Sequence, residues 1–168
     1  MKNTLQFEFL VDKEKNTMTV QREFAAGRQL VWDCHTKGEL LEQWFAPKPF
    51  TAKTRSMDFR AGGQWLYAMV SPEGQEFWAK AEYLKISPID SYSLLDAFCD
   101  ENGVLNTALP RANWDVTFSE QGKDHTLVQT IVTYPSLADL EKVIEMGMKE
   151  GLTMTLENLD ELLAKLKK

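Results

Sequence analysis

Two hydrophobic periods alternate along this chain, and each change of period marks an element. Leu5, Phe7, Phe9 and Val11 take every second position, Asp12–Asn16 form a polar turn, and Met18, Val20 and Phe24 resume the period of two, with Arg22 as the exception. This predicts a hairpin over 5–25. Past Ala25-Ala26-Gly27 the spacing becomes helical. Leu30, Val31 and Cys34 fit one short helix, and Leu40, Leu41, Trp44 and Phe45 fit a second. Thr36-Lys37-Gly38-Glu39 between them has capping-box spacing. Pro47 and Pro49 stop the helical region 28–45, because proline neither continues a helix nor donates a hydrogen bond.

A meander of strands over 51–134 comes next, expected near Thr51–Phe59, Gln64–Ser71, Glu76–Ser87, Ser91–Asp100, Ala108–Glu120 and Lys123–Tyr134. The links are short and carry turn residues, such as Ala61-Gly62-Gly63, Pro72-Glu73-Gly74 and Glu101-Asn102-Gly103, so neighbouring strands pair antiparallel. Ser136 is placed to cap a long amphipathic helix over 137–166. Leu140, Val143, Ile144, Met148, Leu152, Thr155, Leu159 and Leu162 recur on one face of it, and charges occupy the other. Gly147 and Gly151 are costly inside a helix and mark either a break or a close approach to the sheet.

The expectation is one α+β domain over 1–168: a curved antiparallel sheet of about six or seven strands, two short helices after the first strand, and a long C-terminal helix covering the sheet. A curved sheet and a straight helix meet along a line, which leaves room for a cavity at one end. Alternation puts Trp65, Tyr67 and Met69 on one face of a strand, and Trp114 and Val116 on one face of another. Leu94 and Phe98 flank Asp96 in the same way. Trp44 from the second short helix, Phe59, Trp78 and Tyr83 from the other strands, and Met148 and Leu152 from the long helix complete the candidate lining. These side chains either fill the interior or wall a pocket for a small apolar molecule.

Composition narrows the function classes. A formal net charge of −6 without a basic stripe argues against a nucleic-acid partner and against an anionic membrane surface. Apolar runs fall short of the roughly 20 residues that cross a bilayer, and Met1-Lys2-Asn3-Thr4 leads into alternating residues, not an apolar signal core. A cytoplasmic protein is expected, with Cys34 and Cys99 as free thiols.

Catalytic constellations are missing from the pattern. His35 and His125 are the only histidines; His35 adjoins Cys34, but helical neighbours point about 100° apart. There is no clustered metal-ligand spacing, P-loop or dinucleotide fingerprint, so neither a metal nor a cofactor is expected. Asp96 is the one acid–base candidate, either desolvated in the pocket with a raised pKa or turned to solvent at a strand bulge. Arg22 and Arg111 could pair an acidic ligand group, and Tyr67 and Tyr83 could orient one.

Several segments together resemble the activator of Hsp90 ATPase-like family. They are Thr19–Phe24, Leu41–Pro47, Asp58–Gly63, Ser71–Gly74, Tyr134–Ser136 and Met146–Gly151, an ordered set that runs from about residue 17 to the long helix. The resemblance implies the helix-grip fold of the START-like (SRPBCC) superfamily, with a hydrophobic cavity between sheet and helix. Relatives of that kind bind lipids, cyclise polyketides, form dioxygenase subunits or assist chaperones, so the fold leaves the chemistry open. The co-chaperone behind the family name also uses a separate chaperone-binding domain, for which 168 residues leave no room. A carrier of a small apolar or aromatic molecule is therefore expected ahead of a cyclase- or aromatase-like enzyme, or of a chaperone- and stress-associated module. The outer strand of the N-terminal hairpin would offer a free sheet edge, compatible with a monomer or a homodimer.

Overall fold

The computed structural model describes residues 5–167. The expectation about Met1–Thr4 as a non-signal leader lies outside them. The chain opens with β1 (Phe7–Asp12) and β2 (Thr17–Phe24), then α1 (Arg28–Thr36) and α2 (Gly38–Leu41). Six strands follow: β3 (Thr51–Met57), β4 (Gln64–Val70), β5 (Glu76–Ser87), β6 (Ser91–Phe98), β7 (Asn113–Glu120) and β8 (Thr126–Thr133). The last elements are α3 (Leu137–Glu145) and α4 (Met148–Leu166).

All eight strands join one antiparallel sheet in the order β1-β2-β8-β7-β6-β5-β4-β3. The strand count exceeds the expected six or seven because both hairpin strands continue the sheet of the meander. The chain lays its hairpin at one edge, crosses by α1 and α2 to the far edge, and meanders back until β8 meets β2. Register then fixes one continuous inner face. Val20 lies opposite Thr130, Thr130 opposite Val116, Val116 opposite Tyr92, and Leu94 bridges Trp114 to Tyr83. Register shifts between Thr54 and Ser56 in β3, and between Tyr83 and Lys85 in β5, add residues to one strand and bend the sheet.

Turn chemistry sets the position of Tyr83. Gly62 N–H donates to the Tyr83 carbonyl, and Tyr83 N–H donates to the Gly63 carbonyl, both at 2.9 Å. A Cβ on Gly63 would sit 2.1 Å from the Asp58 carbonyl oxygen, so only glycine fits this approach.

The sheet's inner face is covered by α1, α2 and α4. Leu156, Leu159, Leu162 and Leu163 of α4 are buried with Phe24, Val31, Trp32 and Phe118 in the main core. α3 serves a second cluster, where Leu140 and Val143 pack on Met18, Val132 and Tyr134. The long C-terminal helix is thus two helices. Gly147 adopts φ 91°, a left-handed conformation that ends one helix and opens the next, while Gly151 stays inside α4.

Three local expectations meet different outcomes. Ser136 caps α3, its hydroxyl accepting from Asp139 N–H at 3.1 Å. The capping box at Thr36 does not form; its hydroxyl donates to the Trp32 carbonyl one turn back, at 2.9 Å. β7 begins at Asn113 and not near Ala108, because Pro110 has no N–H for the ladder.

No helix among the described residues is long and apolar enough to cross a membrane.

Candidate functional site

Between the sheet and the first turns of α4 lies a cavity of about 80 Å³. A site needs roughly 10–15 Å³ on this measure to hold one water, so the space suits several waters or one small organic molecule. Its walls come from eight elements and the segment after α2, with His35 of α1, Leu41 of α2 and Thr130 of β8 among them. β4 gives Trp65 and Tyr67; β5 gives Ala81 and Tyr83; β6 gives Tyr92, Leu94 and Asp96; β7 gives Trp114 and Val116. α4 contributes Leu152 and Leu156, while Trp44 and Phe45 close the side left by α2.

The aromatic wall is built by alternation. Trp65 and Tyr67, two apart on β4, stack at 3.8 Å, and Phe45 meets both edge-on at 5.2 and 5.8 Å. Each indole nitrogen is engaged: Trp44 donates to the Cys34 carbonyl at 2.9 Å, Trp65 to the Thr54 hydroxyl at 3.0 Å, and Trp114 to Asp96 at 2.7 Å.

Asp96 stands on the inner face opposite Ala81. The β6–β7 ladder ends at Leu95 and Asn113, and beyond it the Asp96 carboxylate receives the Ala112 N–H at 2.7 Å and the Trp114 Nε1–H at 2.7 Å. Burial pushes its pKa above the usual carboxylate range, against the pull of those two donors and of nearby Arg111. Of the two positions expected for it, the pocket is the one observed; the bulge lies across the ladder in β5. Burial also raises the phenols of Tyr67, Tyr83 and Tyr92, and the Tyr67 hydroxyl additionally feels the charges of Asp96 and Tyr83. The hydrogen bonds among the described residues engage none of these three hydroxyls, and none is sealed off as a buried orphan.

The remaining candidates fall elsewhere. Phe59 lies behind the wall, edge-on to Tyr83 at 4.8 Å and to Trp32 at 5.9 Å. Met69 is half-buried at the core margin, and Met148 packs on the second cluster. Phe98 shares the face of Asp96 but lies past the cover of α4, 37% exposed, beside an open groove that also takes Trp78. Trp78 is opposite Ala68 on the outer face, since it differs in parity from Ala81 and Tyr83. Arg22 lies over the Phe7 and Phe24 rings and pairs with Asp160, and Arg111 bonds the Asp96 carbonyl and Glu82. Neither arginine reaches the cavity.

His35 lines the cavity although its sequence context pointed away from chemistry. Its Nδ1–H donates to the Val31 carbonyl at 2.8 Å, which leaves Nε2 as an acceptor, and the ring sits between Trp44 and Phe118. Burial lowers its pKa to about 4 against the effect of that bond, so it is neutral near pH 7. His125 instead pairs with Glu23 at 2.7 Å. Tyr92 was also missed. The available signals were Val31 plus four for His35 and Leu94 minus two for Tyr92. Cys34 is buried and free, its thiol raised to about 11 by burial and by Asp33, and so unreactive. Among the described residues no group of three or more His, Cys, Asp or Glu could hold a metal ion.

The family model for Activator of Hsp90 ATPase homolog 1-like protein matches residues 25–164. The chain belongs to that family. Among solved structures, members of this fold superpose closely. Protein Ms6760 from Mycobacterium smegmatis is 30% identical, with 95% of this chain and 97% of that chain covered and a TM-score of 0.86. A protein from Arthrobacter aurescens is 27% identical, with 94% and 91% covered and a TM-score of 0.88. A Staphylococcus epidermidis protein is 30% identical, with 92% and 93% covered and a TM-score of 0.81. No curated protein matches the chain. Family membership and the gripped C-terminal helix agree with the resemblance seen in the sequence, and they point to a ligand-binding fold without naming a ligand.

Proposed function

We propose that this protein binds a small, largely apolar molecule in the cavity between the sheet and α4. The observation that carries the reading is a space of about 80 Å³ walled by aromatic rings, with one buried carboxylate and three unengaged tyrosine hydroxyls on its surface. An apolar wall with a few convergent polar groups is the usual composition of a small-molecule site. The size favours a single-ring or comparably compact ligand over a long lipid tail.

Ala81 faces the cavity from the middle of the sheet, so Ala81→Leu fills it without adding a polar group. Titration with small single-ring probes, read by fluorescence of Trp44, Trp65 and Trp114, should show saturable binding in the wild type. Affinity should fall at least about tenfold in the folded variant, from the lost space and contacts. Binding unchanged in Ala81→Leu, or absent in the wild type, would remove the proposal. Native mass spectrometry of protein from its own host would then weigh the natural ligand.

A second reading draws on Asp96. A carboxyl raised by burial beside a phenol suits proton transfer to or from a bound substrate. Once a turned-over ligand is known, Asp96→Asn should cost about 100-fold or more in kcat; an unchanged kcat leaves binding as the whole function.

A further inference from the structure

We infer that the molecule held in this cavity is a small organic amine, bound as its ammonium cation between Asp96 and the aromatic faces. The inference rests on the reading of the cavity as a ligand site and specifies the ligand's chemistry.

Donors and acceptors around the space are unequal in number. The fixed N–H donors of the wall are the indoles of Trp44, Trp65 and Trp114, and each already donates to a protein oxygen. Among the described residues no Lys or Arg lines the cavity. The fixed acceptors are free to receive more. Asp96 has about four lone-pair positions, of which two are occupied, and His35 presents Nε2 because its Nδ1–H is given to Val31. Thr130 and the tyrosine hydroxyls can turn either way and adapt to whichever partner arrives.

Charge points the same way. Arg111 is the nearby cation, but its guanidinium is held on Glu82 at 2.7 Å and on the Asp96 backbone carbonyl at 2.9 Å. No ion pair among the described residues includes the Asp96 carboxylate. An anionic ligand would meet that carboxylate with no compensating charge, and a purely apolar ligand would leave its free lone pairs without donors. An ammonium group supplies both the charge and the donors. The ring faces of the stacked pair Trp65–Tyr67 add an electron-rich surface suited to a cation.

The test compares isosteres of two sizes: tert-butylamine with tert-butanol, and benzylamine with benzyl alcohol, with benzoate as the anion. Binding is followed at pH 7 by tryptophan fluorescence and by calorimetry. Each amine should bind about tenfold or more tightly than its alcohol, benzoate should not bind, and Asp96→Asn should bring amine and alcohol to within about twofold of each other. Alcohols that bind as well as the amines, or a preference that survives Asp96→Asn, would overturn the amine while leaving a ligand cavity. Failure of every probe of both sizes would overturn both. Should Asp96→Asn not fold, the wild-type series still decides, together with the carboxyl ¹³C resonance of Asp96, which must move on adding amine and stay still on adding alcohol.

Discussion

At the scale of single residues, two buried groups with opposite responses to acid sit on one cavity wall. His35 has a folded pKa of about 4 against 6.5 for the free side chain. The unfolded chain therefore takes up the proton first, and the stability associated with His35 is complete above about pH 6.5 and lost as the pH falls toward 4. Asp96 is raised and works in the other direction, losing its contribution as the pH rises through its folded value. Unfolding free energies from urea titrations between pH 7.5 and pH 4.5 should decline in the wild type relative to His35→Gln, by up to about 3 kcal/mol; parallel curves would show that His35 is not held neutral. The pocket position of Asp96 was legible because strand side chains repeat every second residue and both flanking partners, Leu94 and Phe98, are apolar. Parity would equally have excluded Trp78, which lies five positions before Tyr83. His35 was hidden by the usual weight given to lone histidines, although it falls one helical turn after Val31.

Among elements, the strands were the most legible, since turn residues bound each of them and the period of two survives burial. Boundaries failed where a single atom decides. Pro110 delays β7, and the Thr36 hydroxyl returns to a carbonyl of α1 instead of capping α2. The break in the C-terminal helix was readable as a glycine but not as a division of labour, because only tertiary packing sends Leu140 and Leu159 to different clusters. Two substitutions test the supports of the site. Leu159→Ala removes a fully buried α4 side chain and should cost about 2–5 kcal/mol in chemical denaturation. Gly63→Ala forces a Cβ against Asp58, and it should cost at least about 2 kcal/mol while weakening ligand binding, because the same turn holds Tyr83. A Gly63→Ala protein as stable as wild type would show that the turn relaxes freely.

On the scale of the molecule, the edge strands of the sheet among the described residues are β1 and β3, and its middle is β7, β6 and the strands beside them. Native-state hydrogen exchange should follow this order, with amides of β6, β7 and β8 exchanging slowest and those of β1 fastest among the strands; equal protection throughout would indicate opening only by global unfolding. The fold class was legible as a whole because each local signal agreed with it: alternation for the sheet, a 3.6 period for its cover, and short links for antiparallel order. The strand pairing also has a temporal side. β2 is made early, yet the neighbour that completes its ladder is β8, and contacts such as Gln21 to Gln129 join positions 108 residues apart. A nascent chain thus carries a half-paired hairpin until β8 has been made. Closure of the sheet is then a late, long-range event, which makes folding slow for a chain of this size and lengthens the interval in which a chaperone can act on it.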